Sequence, residues 1–477
     1  MNRLILTLSA ICLMFANIQA KVKLPHLIGD NMVLQQNTDA RLWGKATPGA
    51  TVVVGVSWSS DTYRAVAGAD GKWLLTVKTP EASMTPLSIT FDDGDGKVTI
   101  NNVLSGEVWV CAGQSNMEMP VKGFSNCPVE GYNNVVADAV NSSGIHYVKV
   151  PSVMSMTPLE DADCQWVTCN PNTVADASAT GYFFARMVNR TLNIPVGIVE
   201  ANKGGTRVES WLTKENLIKY TDEPLDSLKM VKKYSWDYHR PLLWGNGTFN
   251  PILNYTVKGI LYYQGCSNVG DKGNTYSERL ALLVKQWRES FKLGDIPFYF
   301  VQIAPYYYDD DINGTSGAFL REQQEKASKL IANSGMVCTN DCVYPWETQQ
   351  IHPAQKQKVG ERLAFLALNK TYDMKSIMCD NASFKSLRIS NDTCYVRIKD
   401  DYNAISRYED IQGFEVAGAD KVFHKANAYY YWTKGIIITC PEVKKPVAVR
   451  YCFRNFQLGN VANKGGLPLL PFRTDNW

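Results

Sequence analysis

A serine, two glycines, an amide-bearing turn and a histidine recur at spacings that can do acyl-transfer chemistry. The stretch from Val108 to Pro120 reads VWVCAGQSNMEMP and runs an apolar segment straight into Gly113-Gln114-Ser115-Asn116. A buried strand that ends on a glycine can turn sharply and expose the next hydroxyl at the sheet's carboxyl edge. A plain polar turn has the same composition, so the weight falls on three later stretches. Gly204-Gly205 follows a second apolar run, and without side chains it lets a backbone N–H approach a substrate oxygen. Gln264-Gly265-Cys266-Ser267-Asn268 follows a third, and a side-chain amide there can donate to the same oxygen. With the Ser115 N–H these make three donors for a developing oxyanion. Gln350-Ile351-His352-Pro353 supplies an imidazole able to take the Ser115 proton and return it to a leaving alcohol. Singly, each has a bland reading: a turn, a helix cap, a helix entrance. Together they all fall at or just beyond predicted strand ends.

Such residues meet only if the elements between them form an open, mainly parallel sheet. Residues 104–373 carry that pattern. Predicted strands Val108–Ala112, Val196–Glu200, Gly259–Tyr263, Pro297–Ile303 and Met336–Thr339 alternate with amphipathic helices Ser178–Leu192 and Ser277–Phe291 and one starting at Pro353. In α/β sheets of this kind ligands bind beyond the carboxyl ends of the strands. Residues 21–103 read as an all-β unit, a small β-sandwich. Its strands are Thr51–Trp58, Lys72–Thr79, Leu87–Phe91 and Lys97–Val103, with hairpin turns at Asp70-Gly71 and Asp95-Gly96. Residues 374–477 return to strand-like runs at Cys394–Ile398, Gly435–Thr439 and Val447–Phe453, a β-rich C-terminal region.

Length and composition set outer bounds. The chain has 477 residues, 45% of them hydrophobic and 20% charged, enough for two or three domains with a large core. A formal net charge of +3 gives no support for nucleic-acid or acidic-membrane binding. Asn2 and Arg3 precede an apolar run, and residues 1–20 read as a secretory signal cleaved after Ala20. The run falls short of the roughly 20 apolar residues of a membrane span, so the expectation is an exported, soluble protein in the periplasm or outside the cell. Eleven cysteines follow Ala20; Cys164/Cys169, Cys338/Cys342, Cys379/Cys394 and Cys440/Cys452 are close enough in sequence to bridge, whereas Cys111 and Cys266 read as buried thiols. No spacing matches a zinc site, and neither a metal nor another cofactor is expected. Oligomeric state is not legible.

The set Gly113-Gln-Ser-Asn116, Gly204-Gly205, Gly265-Cys-Ser-Asn268 and Ile351-His-Pro353 resembles the SGNH (GDSL-like) hydrolase superfamily. Within it the chain is similar to the sialate O-acetylesterase family of bacterial carbohydrate esterases. The likeness extends to Ile28-Gly-Asp-Asn-Met-Val-Leu-Gln35, Gly106-Glu-Val-Trp109, Leu320-Arg-Glu-Gln323, Gly466-Leu-Pro468 and Pro471-Phe-Arg-Thr474. The resemblance implies a three-layer α/β hydrolase domain with Ser115 as nucleophile and His352 as general base. It implies an oxyanion hole of Ser115, Gly205 (rather than Gly204) and Asn268. The implied reaction is hydrolysis of O-acetyl esters on carbohydrates, with sialate 9-O-acetyl esters foremost.

Two departures bear on mechanism. Many relatives have Glu where this chain has Cys266, and the acid expected two or three residues before the histidine is replaced by Gln349 and Gln350. A neutral amide can hold the imidazole tautomer but cannot stabilise imidazolium by charge, a difference worth about four orders of magnitude in a Ser-His-Asp enzyme. Either Ser115 and His352 act as a dyad, or another acid serves; Glu347 and Asp341 lie in the same loop, and Glu347 is the preferred third member. Trp211, Tyr262, Tyr263 and Tyr306 to Tyr308 are candidates for stacking on a pyranose. Two rivals stand beside this reading: an acetyl xylan or hemicellulose esterase, and a carbohydrate-binding protein with an inactive hydrolase domain.

Overall fold

The computed structural model describes residues 22–271, 273, 275–309, 311–399, 404–405 and 410–477. The leader expected over residues 1–20 lies outside them. Alternation of apolar and polar side chains builds the first strands: β1 (Val33–Gln35), β2 (Asp39–Lys45), β3 (Thr51–Val56), β4 (Thr62–Val66), β5 (Lys72–Lys78) and β6 (Ser83–Asp92). In β5, Trp73, Leu75 and Val77 are buried while the residues between them face solvent, the period-2 signature of a one-sided sheet. Among the described strands β2 pairs with β5, and Trp73 packs its ring 5.9 Å from that of Phe91 in β6. The Asp70-Gly71 turn therefore joins strands of different sheets and closes no hairpin, because β4 pairs with β3. Asp95-Gly96 does close one, with Asp92 opposite Lys97.

The next strand, β7 (Lys97–Gly113), is the spine of the molecule. It runs 17 residues without a break and crosses the expected junction at residue 103. Its first part pairs with β6 and β1; its second lies between two parallel neighbours. With β8 (Ile145–Lys149), β9 (Trp166–Thr168), β10 (Val196–Asn202), β11 (Gly259–Tyr263), β12 (Phe298–Val301) and β13 (Ser334–Val337), the order is β13-β12-β11-β7-β10-β8-β9. Every pair in this row is parallel except β8 with β9. The chain reverses its direction of travel across the sheet at β7, which is where open α/β sheets bind ligands.

Both faces of this sheet are covered. Val108, Val110, Ile260, Tyr262, Phe298 and Phe300 join one apolar cluster; Trp109, Cys111, Leu261, Tyr263, Tyr299 and Val301 join the other. Helix Tyr276–Phe291 buries Leu280, Leu283, Val284 and Trp287 in the first cluster. Helix Ala179–Leu192, capped by Ser178 accepting from Gly181 N–H at 3.1 Å, and helix Lys356–Leu366 pack together over the second. The result is a helix–sheet–helix sandwich. The last helix starts at Lys356, not at Pro353 as its sequence suggested, because Pro353 to Gln355 are drawn into the site loop.

Beyond residue 373 two four-stranded antiparallel sheets form, one built on Thr393–Ile398 and Gly435–Thr439, the other on Phe414–Ala417 and Ala448–Tyr451. The C-terminal region is tied to helix Ser316–Leu330 by Asn455 Oδ1 accepting from Gly317 N–H at 2.8 Å and by an Arg473–Glu322 ion pair at 3.0 Å. All eleven cysteines of the described residues are free thiols, so none of the four candidate pairs is bridged. No helix among the described residues is long and apolar enough to cross a membrane.

Candidate active site

Gly113 is the last residue of β7, and its neighbours leave it no room for a side chain. Its φ is +135°, and a Cβ there would lie 2.3 Å from the carbonyl oxygen of Tyr263. The turn that follows is stitched to the end of β11: Gln114 N–H donates to Tyr263 O at 2.9 Å, and Gly265 N–H donates to Gln114 Oε1 at 2.8 Å. Ser115 then opens a one-turn helix, Ser115–Glu118, half-buried at the carboxyl edge of the sheet. Ser178 Oγ and Thr180 Oγ1 hold that turn from the adjacent helix by donating to Met117 O at 2.6 Å and Asn116 O at 3.3 Å.

His352 arrives from 237 residues further along the chain and places Nε2 2.8 Å from Ser115 Oγ. Asn116 makes the meeting possible. Its Nδ2 donates to Ile351 O at 2.9 Å, and its Oδ1 accepts from Lys356 Nζ at 2.8 Å, so one side chain ties the Ser115 turn to both sides of the histidine. The sequence motif contains Asn116 but nothing in its type marked this duty. Phe124 fixes the imidazole plane edge to face at 5.2 Å between centroids.

The expected third member does not contact the imidazole. Glu347 is buried, and its carboxylate accepts from Tyr344 N–H at 2.8 Å and Ala354 N–H at 3.1 Å, closing the loop that carries His352. A carboxylate spent on backbone amides of its own loop is a structural clamp. Asp341 is engaged bidentately by Arg362, both oxygens at 2.6 Å. His352 Nδ1 faces the Cys127 thiol instead, at 3.6 Å. Cys127 in turn donates to Gln350 Oε1 at 3.2 Å, and Gln350 Nε2 donates to Asn126 O at 3.1 Å. Gln350 stands where the acid is expected; Cys127 carries no local signal, lying 225 residues before the histidine it touches.

The expected oxyanion donors divide in the same way. The N–H groups of Ser115 and Gly205 make no hydrogen bond among the described residues, and first-turn N–H groups of a helix lack intrahelical partners. Gly204 N–H is taken by the Glu118 carboxylate. Gly205 has φ +78°, and a Cβ on it would enter the Tyr238 ring at 2.4 Å. Asn268 departs from its expected role. Both its amide hydrogens go to carboxylates, Glu209 at 3.0 Å and Asp271 at 2.7 Å, while Oδ1 accepts from Val208 N–H at 3.0 Å and Gln264 Nε2 at 2.8 Å. With four partners at a fully buried position, this amide has no donor left for a substrate oxygen. It anchors the loop bearing Gly205 to a buried ionic cluster in which Arg207 meets Glu223 at 2.8 Å and Glu209 at 3.3 Å.

Charge at the imidazole runs opposite to that of a carboxylate-backed triad. Burial, together with the Lys356 ammonium, lowers the His352 pKa to about 4, and burial lowers that of Lys356 to about 7. The imidazole is thus neutral at pH 7, the form able to accept a proton. Among the described residues no group of three His, Cys, Asp or Glu side chains converges as a metal site requires.

Site and sheet together define a hydrolase-type centre: a serine hydroxyl on an imidazole at the switch point of a three-layer α/β fold, beside free backbone donors. Residues 105–369 match the model of the family described as carbohydrate esterase, sialic acid-specific acetylesterase, and the chain belongs to that family of carbohydrate O-acetylesterases. It is 28% identical over 387 residues to human sialate O-acetylesterase, covering 73% of this chain and 71% of that one. The mouse sialate O-acetylesterase is 25% identical over 447 residues, covering 82% and 81%. A crystal structure of a carbohydrate acetylesterase from Xanthomonas citri superimposes with a TM-score of 0.84 at 28% identity, covering 96% of this chain and all of that one.

Two outcomes follow from this geometry. Asn268→Ala leaves the buried Val208 N–H without an acceptor and removes one of the two acceptors of Gln264 Nε2, at about 1–3 kcal/mol per unsatisfied group. Calorimetry should show a lowered Tm, whereas an asparagine that only faced substrate would leave Tm unchanged. NMR titration of the His352 ring should give a pKa near 4, against about 6.5 for an unperturbed imidazole. In Lys356→Met, with the neighbouring cation removed, that value should move up.

Proposed function

We propose that the protein hydrolyses O-acetyl esters of sugars by a serine mechanism, with sialate 9-O-acetyl esters the foremost substrates. The observation that carries this reading is the 2.8 Å contact between Ser115 Oγ and His352 Nε2. Ser115 attacks the ester carbonyl as His352 takes its proton. The N–H groups of Ser115 and Gly205 receive the oxyanion, and His352 then protonates the departing sugar hydroxyl. Water, deprotonated by the same imidazole, attacks the acetyl-serine and releases acetate. The sialate preference is supported by the matching family model and by the human and mouse relatives, which bear that activity in their names. Acetylated hemicellulose is the competing substrate. The leader-like residues 1–20 support export.

No carboxylate takes the third role in this mechanism. The Nδ1 proton is held by the Cys127 thiol, itself fixed by Gln350, so the imidazole keeps its tautomer while imidazolium gains no charge partner. The base is weak but stays unprotonated well into the acid range. Above its pKa it is neutral and active; below it, it is protonated and idle. The acid limb of kcat/KM should therefore lie near pH 4, with activity retained at pH 5.

Acetate release from 4-nitrophenyl acetate and from acetylated sialic acids and xylo-oligosaccharides tests the reading. Ser115→Ala should lower kcat by about 10⁴-fold or more, and a folded wild-type protein that releases no acetate from any substrate would overturn it. Cys127→Asp supplies the missing charge at Nδ1. It should raise kcat and shift the acid limb upward, because an adjacent anion favours imidazolium. An unchanged profile would remove Cys127 from the mechanism.

A further inference from the structure

The aromatic residues singled out in the sequence for sugar stacking are mostly core. Trp211, Tyr262 and Tyr263 are each 1% exposed, Tyr308 is 8% exposed, and Tyr306 and Tyr307 are half-buried. Two other tryptophans have the opposite character. Trp346 is 76% exposed and Trp236 is 61% exposed, and each lies flat on a tyrosine two positions away in sequence. Trp346 stacks on Tyr344 at 4.7 Å with an interplanar angle of 4°; Trp236 stacks on Tyr238 at 5.7 Å and 10°. Single exposed apolar residues are ordinary. Two parallel aromatic pairs with indole faces open to water, each joined to one nucleophile, are a more specific arrangement.

The joins run through contacts already described. Tyr238 fills the space that a side chain on Gly205 would need, and a Cβ on the preceding Gly204 would lie 3.3 Å from the Cβ of Ser115. On the other side Ser115 meets His352, whose loop is closed by Glu347 on the N–H groups of Tyr344 and Ala354. The supporting tyrosines are themselves held. Tyr344 donates its hydroxyl to Glu130 at 2.8 Å, and His239 packs edge-on against Tyr238 at 4.7 Å. One platform therefore adjoins the oxyanion side of Ser115 and the other the histidine side. Neither could be read from sequence, because Trp236 and Trp346 lie far along the chain from Ser115 and only the fold sets their position relative to it.

We infer that Trp236 and Trp346 are stacking subsites for pyranose rings, and that the substrate is an oligosaccharide chain lying across Ser115. Its acetylated residue sits at the serine and its neighbours lie on the two indoles. A pyranose presents a face of C–H groups that packs on an aromatic plane, and a ring pre-stacked on tyrosine loses little freedom when it is covered. A single sugar at Ser115 has no use for both platforms. This inference rests on the esterase reading for the placement of the acetyl group, and it adds that flanking sugars contribute to recognition.

The test compares an acetylated monosaccharide with the matching acetylated tri- or tetrasaccharide, in the sialyl and the xylan series. For wild type, kcat/KM on the oligosaccharide should exceed that on the monosaccharide by at least tenfold, through KM. Trp346→Ala and Trp236→Ala should each collapse that ratio, while Trp432→Ala, removing an equally exposed indole of the C-terminal region, should leave it intact. A ratio near one in wild type, or one insensitive to both tryptophans, overturns the inference. Titration of intrinsic fluorescence in Ser115→Ala separates the two failures. If wild type releases no acetate, tighter binding of the oligosaccharide that is lost in both tryptophan variants still supports the platforms and overturns only the esterase reading. Equal binding by all variants overturns the platforms.

Discussion

The site depends on one steric constraint: the end of β7 must pass between β10 and β11 with nothing but hydrogen on the Gly113 Cα. The register opposes Gly113 to Asn202 on one side and to Tyr263 on the other, so the three strands end at one level. Ser115, the Gly204-Gly205 pair and the Gly265–Asn268 turn follow those three ends. A Cβ at Gly113 would meet the Tyr263 carbonyl at 2.3 Å and force β7 and β11 apart. Separating them would break the Gln114 bridges that aim the serine. The geometry of the site is thus a consequence of strand pairing before it is a matter of its side chains.

Around this centre polar groups do two kinds of work that their residue types do not distinguish. Glu347 and Asn268 look like a triad acid and an oxyanion donor, yet both are spent on holding loops: one closes the histidine loop, the other fastens the glycine loop to Glu209 and Asp271. Buried carboxylates and amides have to be satisfied, and nearby backbone N–H groups reach them before a distant imidazole or a substrate can. Asn116, Lys356 and Cys127 surround the histidine. The electrostatic outcome is a neutral imidazole flanked by the Lys356 amine and a thiol, with its pKa pushed down.

The layered core explains why the fold class was legible. Strands buried on both faces read as continuous apolar runs, and β11 occupies the span its sequence marked, Gly259–Tyr263. Helices Ala179–Leu192 and Tyr276–Phe291 began within one residue of their expected starts, since caps and apolar periodicity are local signals. The misplacements have tertiary causes. β7 ran through the expected junction because both of its halves found partners, and Pro353 stayed outside its helix because Lys356 turns back to Pro353 O at 2.7 Å.

Sequence alone determined the alternation of strands and helices and the glycine-bounded serine turn, and it singled out Ser115 and His352 as a candidate pair. Those are properties of short segments, carried by side-chain period and by which residues tolerate a sharp turn. Only the tertiary structure decided which groups surround that pair. Cys127 rather than Glu347 stands at Nδ1, Asn268 gives its amide hydrogens to Glu209 and Asp271, and Tyr238 and Tyr344 each carry a stacked, exposed indole. Each of these outcomes is a contact between residues far apart in the chain or a competition for one hydrogen bond, and neither leaves a trace in local sequence.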